Sequence, residues 1–124
     1  MPRSILDYDA IDHVAMLLAT GADDVITRDD LAAATRAVVA TLKARHPGQT
    51  IEFRVPPFAA AQLAASGGDG PTHRRGTPPA VVELDAVTAV RLAAGLQTWD
   101  DAVAQGRILH SGAHASDVSA MFPL

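Results

Sequence analysis

The chain has 124 residues, a net charge of -4, an apolar content of 48% and no cysteine. The apolar content excludes a disordered chain, and the acidic charge argues against a nucleic-acid binder, which needs basic residues to neutralise phosphates. The lack of cysteine excludes disulfides, thiolate catalysis and cysteine metal sites. The length is typical of one domain, and no repeat or linker divides the sequence, so we expect residues 1–124 to form a single domain.

The first residues of the chain contain no long apolar run and include several aspartates, among them Asp7, Asp9 and Asp12. A signal peptide needs a basic start and an apolar stretch, and a membrane span needs about 20 apolar residues. The sequence therefore predicts a soluble cytoplasmic protein with no integral membrane association.

Two helices are predicted in the first part of the chain. In residues 7–19, apolar side chains recur at helical spacing. The second helix begins at Thr27, because Thr27 and Asp30 nearly match a capping box, with Asp in place of the usual Glu or Gln. Pro47 and the glycine after it end this helix.

Two strands are predicted to follow. Residues 50–55 alternate between apolar and charged side chains, which is typical of a half-buried strand. The two prolines after them end the strand, since neither can donate a ladder hydrogen bond. Residues 58–64 are compatible with a helix, because alanine favours helices, but their position favours a second strand beside the first. Residues 66–79 are rich in Gly and Pro and are predicted to be irregular.

The last third of the chain is predicted to run strand, helix, short helix, strand and a final amphipathic turn. The first of these strands spans residues 80–84, and Asp85 caps the helix after it. Thr98 can cap the short helix, which Gly106 ends. The last strand spans residues 107–111.

The densest group of charged side chains lies in the irregular segment, where His73, Arg74 and Arg75 follow one another. Together with Arg54 they could bind a phosphate or carboxylate, because guanidinium groups suit both anions. The glycine spacing matches neither a P-loop nor a dinucleotide fingerprint. The alternative is a solvated loop that one arginine anchors, with Arg54 in an ion pair with Glu83.

No catalytic or metal-binding group is predicted. His110, His114 and Asp117 have a spacing that could bring metal ligands together, but a strand end and a helix start rarely converge, and no fourth ligand is evident. Ser66 and Ser111 lack the Gly-x-Ser-x-Gly elbow of hydrolases. We therefore expect a protein that is not an enzyme, with no cofactor and no metal.

The pieces of the last third resemble the C-terminal half of sterol carrier protein type two domains. The matching pieces are Asp85 and residues 91–95, 101–102, 106–108 and 111–112. Residues 54–62 and 70–79 look like segments of a stand-alone bacterial branch of the same superfamily.

The resemblance implies an α+β fold, with a single-layer, mostly antiparallel sheet of about five strands covered on one face by helices. It also implies an apolar cavity between sheet and helices, partly closed by the terminal helix. The apolar residues that would face this cavity are Phe53, Phe58, Val82, Leu92, Trp99, Leu109, Met121 and Phe122. Trp99, the only tryptophan, could instead fill the core.

These features predict a non-catalytic carrier for an apolar or amphipathic small molecule, such as a lipid, an acyl chain or a sterol-like compound. We expect a monomer or a homodimer. Two alternatives remain. The small-residue content also fits an interaction or dimerisation module with a filled core. Because sterol-carrier-like domains also occur appended to enzymes, an accessory role in catalysis is the other alternative.

Overall fold

The computed structural model of the chain describes residues 8–65 and 79–124. The first part contains α1 (Tyr8–Ala19), a short 3₁₀ helix (Asp23–Val25), α2 (Arg28–Arg45), β1 (Pro47–Val55) and β2 (Ala59–Leu63). The second part contains β3 (Ala80–Leu84), α3 (Ala86–Ala93), α4 (Trp99–Ala104), β4 (Ile108–Ser111) and a C-terminal 3₁₀ helix (Ala115–Met121). The predicted order of helices and strands is thus confirmed over the described residues.

The strands form one four-stranded sheet in the order β2-β1-β3-β4. Strand β1 pairs antiparallel with β2 and parallel with β3, and β3 pairs antiparallel with β4. The mostly antiparallel sheet of an α+β fold is therefore confirmed. The expected number of about five strands is corrected to four in the described residues, because they hold only four runs of strand length. The connection from β2 to β3 includes residues 66–78, which lie outside the described part.

The helices begin where capping side chains were expected from the sequence. The hydroxyl of Thr27 accepts a hydrogen bond from the backbone N–H of Asp30 at 3.0 Å. Asp85 and Thr98 accept the same kind of bond from the N–H three residues ahead, each at 3.1 Å. Each bond satisfies a backbone donor that has no partner inside its helix, and such a cap stabilises a helix by about 1 kcal/mol.

Residues after the two prolines form a strand rather than a helix. The backbone N–H of Phe58 donates to the carbonyl of Val55 at 3.0 Å, which closes a tight turn around Pro56 and Pro57. Strand β2 then pairs along β1, with Ala59 opposite Val55. Pairing with a neighbouring strand thus outweighs the helix propensity of the alanines, and the strand interpretation is confirmed.

The core lies between the sheet and one layer of helices. Helix α2 packs against β1 and β2, and α1 and α3 pack against α2 and against each other. On β1 the side chains of Ile51, Phe53 and Val55 point to the helices and have no exposed surface. The buried helical side chains around them include Ile11, Val14, Leu18, Val38, Leu42, Ala89, Val90 and Leu92. The middle of the molecule is therefore filled with side chains.

Candidate functional site

A cleft of about 390 Å³ lies at the C-terminal end of α3. The loop from α3 to α4, the start of α4 and the last residues of the chain surround it. Its apolar lining consists of Leu92, Trp99, Phe122 and Pro123, and its remaining lining consists of Gly95, Gln97, Thr98, Asp100 and Ser119. A cleft with an apolar part and a polar part suits an amphipathic molecule.

Gly95 directs the chain from α3 into the wall of the cleft. Its φ of +75° lies in the left-handed region, which favours glycine. Behind it, the N–H of Leu96 donates to the carbonyl of Arg91 at 2.9 Å and satisfies the end of the helix. A Cβ added at position 95 would lie 3.7 Å from Pro123, which is ordinary van der Waals distance, so the turn lies close to the end of the chain.

The C-terminal segment, residues 122–124, is fixed to the rest of the fold at both ends. The N–H of Leu124 donates to the carbonyl of Ala93, in the last turn of α3, at 2.9 Å. The ring of Phe122 lies 6.3 Å, centroid to centroid, from that of the buried Phe53. The segment therefore forms a wall of the cleft that is continuous with the core.

Trp99 belongs both to the core and to the cleft. It opens α4 and is only 9% exposed, and its ring centroid lies 6.4 Å from that of His110 on β4. The same residue lines the cleft. The two alternatives predicted for Trp99 are therefore compatible, because one residue both belongs to the core and lines the cleft.

The residues predicted to face one apolar cavity are distributed over several places. Leu92, Trp99 and Phe122 line the cleft. Phe53, Val82 and Met121 belong to the core, where Phe53 and Val82 are fully buried and Met121 is 7% exposed.

Phe58 and Leu109 lie away from the cleft. Phe58 is partly buried against the core, and the guanidinium of Arg28 lies 5.1 Å from the centre of its ring. Leu109 is 66% exposed and lies opposite Glu83. Adjacent residues of a strand point to opposite faces, and Ile108 takes the buried position, so Leu109 faces away from the helices.

A second cleft, of about 450 Å³, contains Leu109. Glu83, Asp85 and Arg107 supply its charged side chains. The carboxylate of Asp85 is already engaged, since it accepts hydrogen bonds from the N–H and the hydroxyl of Thr88 at 3.1 and 2.6 Å. This cleft therefore includes a helix cap as part of its wall.

The predicted anion site can be followed only at Arg54, because His73, Arg74 and Arg75 lie outside the described residues. The guanidinium of Arg54 lies 2.9 Å from the carboxylate of Glu52, two residues earlier on the same face of β1. Arg54 is thus paired with a glutamate on its own strand. From the sequence, Glu83 was proposed as the ion-pair partner of Arg54, and Glu83 lies beside Arg54 in the β1–β3 register.

In the part of the chain that the structure describes, no group of three metal-ligating side chains comes together. His114 contacts Asp117 at 3.2 Å, while His110 packs on Trp99. None of the described helices is both long enough and apolar enough to cross a membrane.

The polar part of the first cleft was not predicted. Gln97, Asp100 and Ser119 have no motif around them, and Thr98 was predicted only as a helix cap. The useful signal was Gly95, because a left-handed glycine ends α3 and begins the loop that carries Gln97 and Thr98 into the lining of the cleft.

A family model described as a bacterial SCP ortholog, where SCP denotes sterol carrier protein, matches residues 27–124. The match begins at the cap of α2 and includes all four strands and every residue that lines the first cleft. No curated protein matches the chain.

Proposed function

The chain belongs to the bacterial sterol carrier protein family, and on this basis we propose that it is a non-catalytic carrier for a small amphipathic molecule. The observation that supports the proposal is the cleft at the end of α3. Its apolar side chains are Leu92, Trp99 and Phe122, and its polar ones lie along the loop into α4 and in the C-terminal 3₁₀ helix.

The volume of the cleft suits a small ligand. Its 390 Å³ falls within the range of about 300–1,000 Å³ for small-molecule pockets. A short-chain amphiphile is within the size range of ligands that such pockets hold.

Binding would be driven by burial of the apolar part of the ligand. At about 25 cal/mol per Å², every 100 Å² of apolar surface removed from water contributes about 2.5 kcal/mol. Because Trp99 is mostly buried and Phe122 packs beside the buried Phe53, little side-chain freedom would be lost on binding.

A variant that fills the cleft tests this function. Ser119 lines the cleft, whereas Ser116 lies exposed in the same 3₁₀ helix. Ser119→Phe should abolish binding of short-chain amphiphiles, and Ser116→Phe should leave binding unchanged. Titration calorimetry and the fluorescence of Trp99 measure the binding. If the natural sequence binds no amphiphile, or if both variants bind equally well, the cleft is not the ligand site.

A self-association module is the second candidate. It is favoured by Leu109, which is 66% exposed on the sheet face that points away from the helices. Light scattering over a range of concentrations tests this second candidate. A dimer that persists on dilution would support this function, and a strict monomer would exclude it.

A further inference from the structure

The lining of the first cleft carries a negative charge that no basic residue of the described lining balances. Among the described residues that line it, Asp100 has the only charged side chain, and Asp101 follows it in the first turn of α4. The basic side chain of α3, Arg91, is directed to Asp23, with 3.6 Å between the guanidinium and the carboxylate. An anionic head group in the cleft would therefore meet a like charge, and a cationic one would meet a counter-ion.

Two aromatic residues share the lining of the cleft with this carboxylate. Trp99 is the residue before Asp100, and Phe122 lies in the same lining. Each ring has a partner in the fold, Trp99 at His110 and Phe122 at Phe53, so neither has to be ordered by a ligand. The electron-rich face of an aromatic ring attracts a cation, and quaternary ammonium groups are recognised by such rings.

Two polar groups of the cleft are already engaged with residues outside its lining. The amide of Gln97 donates to that of Gln105 at 2.9 Å, and the hydroxyl of Thr98 accepts from the N–H of Asp101. A quaternary ammonium group has no N–H and needs no hydrogen-bond acceptor. It fits a site that offers one carboxylate and apolar or aromatic surface.

We propose that the cleft selects amphiphiles with a quaternary ammonium head group, with Asp100 as the counter-ion and Trp99 and Phe122 as the rings around the cation. This inference rests on the proposed carrier function and adds the chemical class of its ligand. The alkyl chain would lie along Leu92 and Pro123.

The test compares two probes with equal alkyl chains and opposite charge, decyltrimethylammonium and decanoate, below their micelle concentrations. Titration calorimetry gives the dissociation constants, and the fluorescence of Trp99 reports where binding occurs. An exposed ion pair changes affinity by a few-fold, so we expect decyltrimethylammonium to bind roughly three- to tenfold more tightly. Asp100→Asn should reduce this ratio to about two or less.

Asp24→Asn is the matched control, since Asp24 is an exposed aspartate that does not line the cleft. It should retain the full preference for the cation. If decanoate binds as tightly as decyltrimethylammonium, or if Asp100→Asn retains the preference, this inference is overturned while the carrier function stands. If neither probe binds, nor a neutral decyl glucoside, the carrier function fails as well.

Discussion

The middle of the sheet and the end of α3 lie a few side chains apart and differ in how they are packed. Beneath the middle, Phe53 and Val82 are completely buried and belong to the hydrophobic core between the layers. At the end of α3 the helix stops at a left-handed glycine and leaves a cleft of about 390 Å³. Phe122 joins the two regions, since its ring touches Phe53 and also lines the cleft. In this fold a cleft thus lies where a helix ends, beside the packed helices and sheet rather than between them.

The largest expected effect is a loss of stability from a change in the filled region. Phe53→Ala should lower the free energy of unfolding by about 3–5 kcal/mol, because it removes a fully buried ring and leaves a cavity. Urea denaturation measures the loss. Phe58→Ala, at a partly buried ring, should cost less. A loss below about 1 kcal/mol for Phe53→Ala would contradict the description of a packed core.

A smaller effect is expected at the two glycines that follow α1 and α3. Gly21 and Gly95 both have a φ of +75°, so an alanine at either position should cost about 1–2 kcal/mol of stability through the backbone. Only the second substitution should also change ligand affinity, because only Gly95 lines the cleft and lies near Pro123.

Thermal denaturation and amphiphile titration of both glycine variants separate these effects. Equal losses of stability, with affinity lowered only in Gly95→Ala, would show that the end of α3 shapes the ligand site. If Gly21→Ala lowers affinity to the same degree, the site depends on global stability, and the distinction between the two regions is lost.

Local patterns in the sequence predicted most of the fold. The caps at Thr27, Asp85 and Thr98 and the alternation in β1 need only neighbouring residues, and the structure shows all of them. The parallel pairing of β1 with β3 was not predicted, because strand order depends on contacts between distant residues.

The lining of the candidate cleft could be predicted less fully from the sequence than the fold. An apolar residue type does not show whether its side chain packs in the core or lines a cavity. From the sequence, Phe53 and Leu92 were therefore equally good candidates for a cavity lining. Their difference arises because Phe53 lies under the helices, whereas Leu92 lies beside the place where α3 ends. Polar residues such as Asp100 and Ser119 join the cleft only through the folded path of the chain, which no local motif encodes.

The smallest expected effect concerns the helix caps. It compares the removal of a threonine hydroxyl at the start of α2 with the same removal at the start of α4. Thr27→Ala and Thr98→Ala each remove a hydroxyl that accepts a backbone N–H at the start of a helix, so each should cost about 1 kcal/mol in the free energy of unfolding. Thr98 also lines the cleft, and its bond fixes the turn that places Trp99 and Asp100. Thr98→Ala should therefore weaken amphiphile binding, whereas Thr27→Ala, at the start of α2, should leave the dissociation constant unchanged. Urea denaturation and titration calorimetry on both variants make the comparison. Equal stabilities with unequal affinities would show that the cap of α4 positions the ligand site, and equal affinities would show that the cleft keeps its shape without this cap.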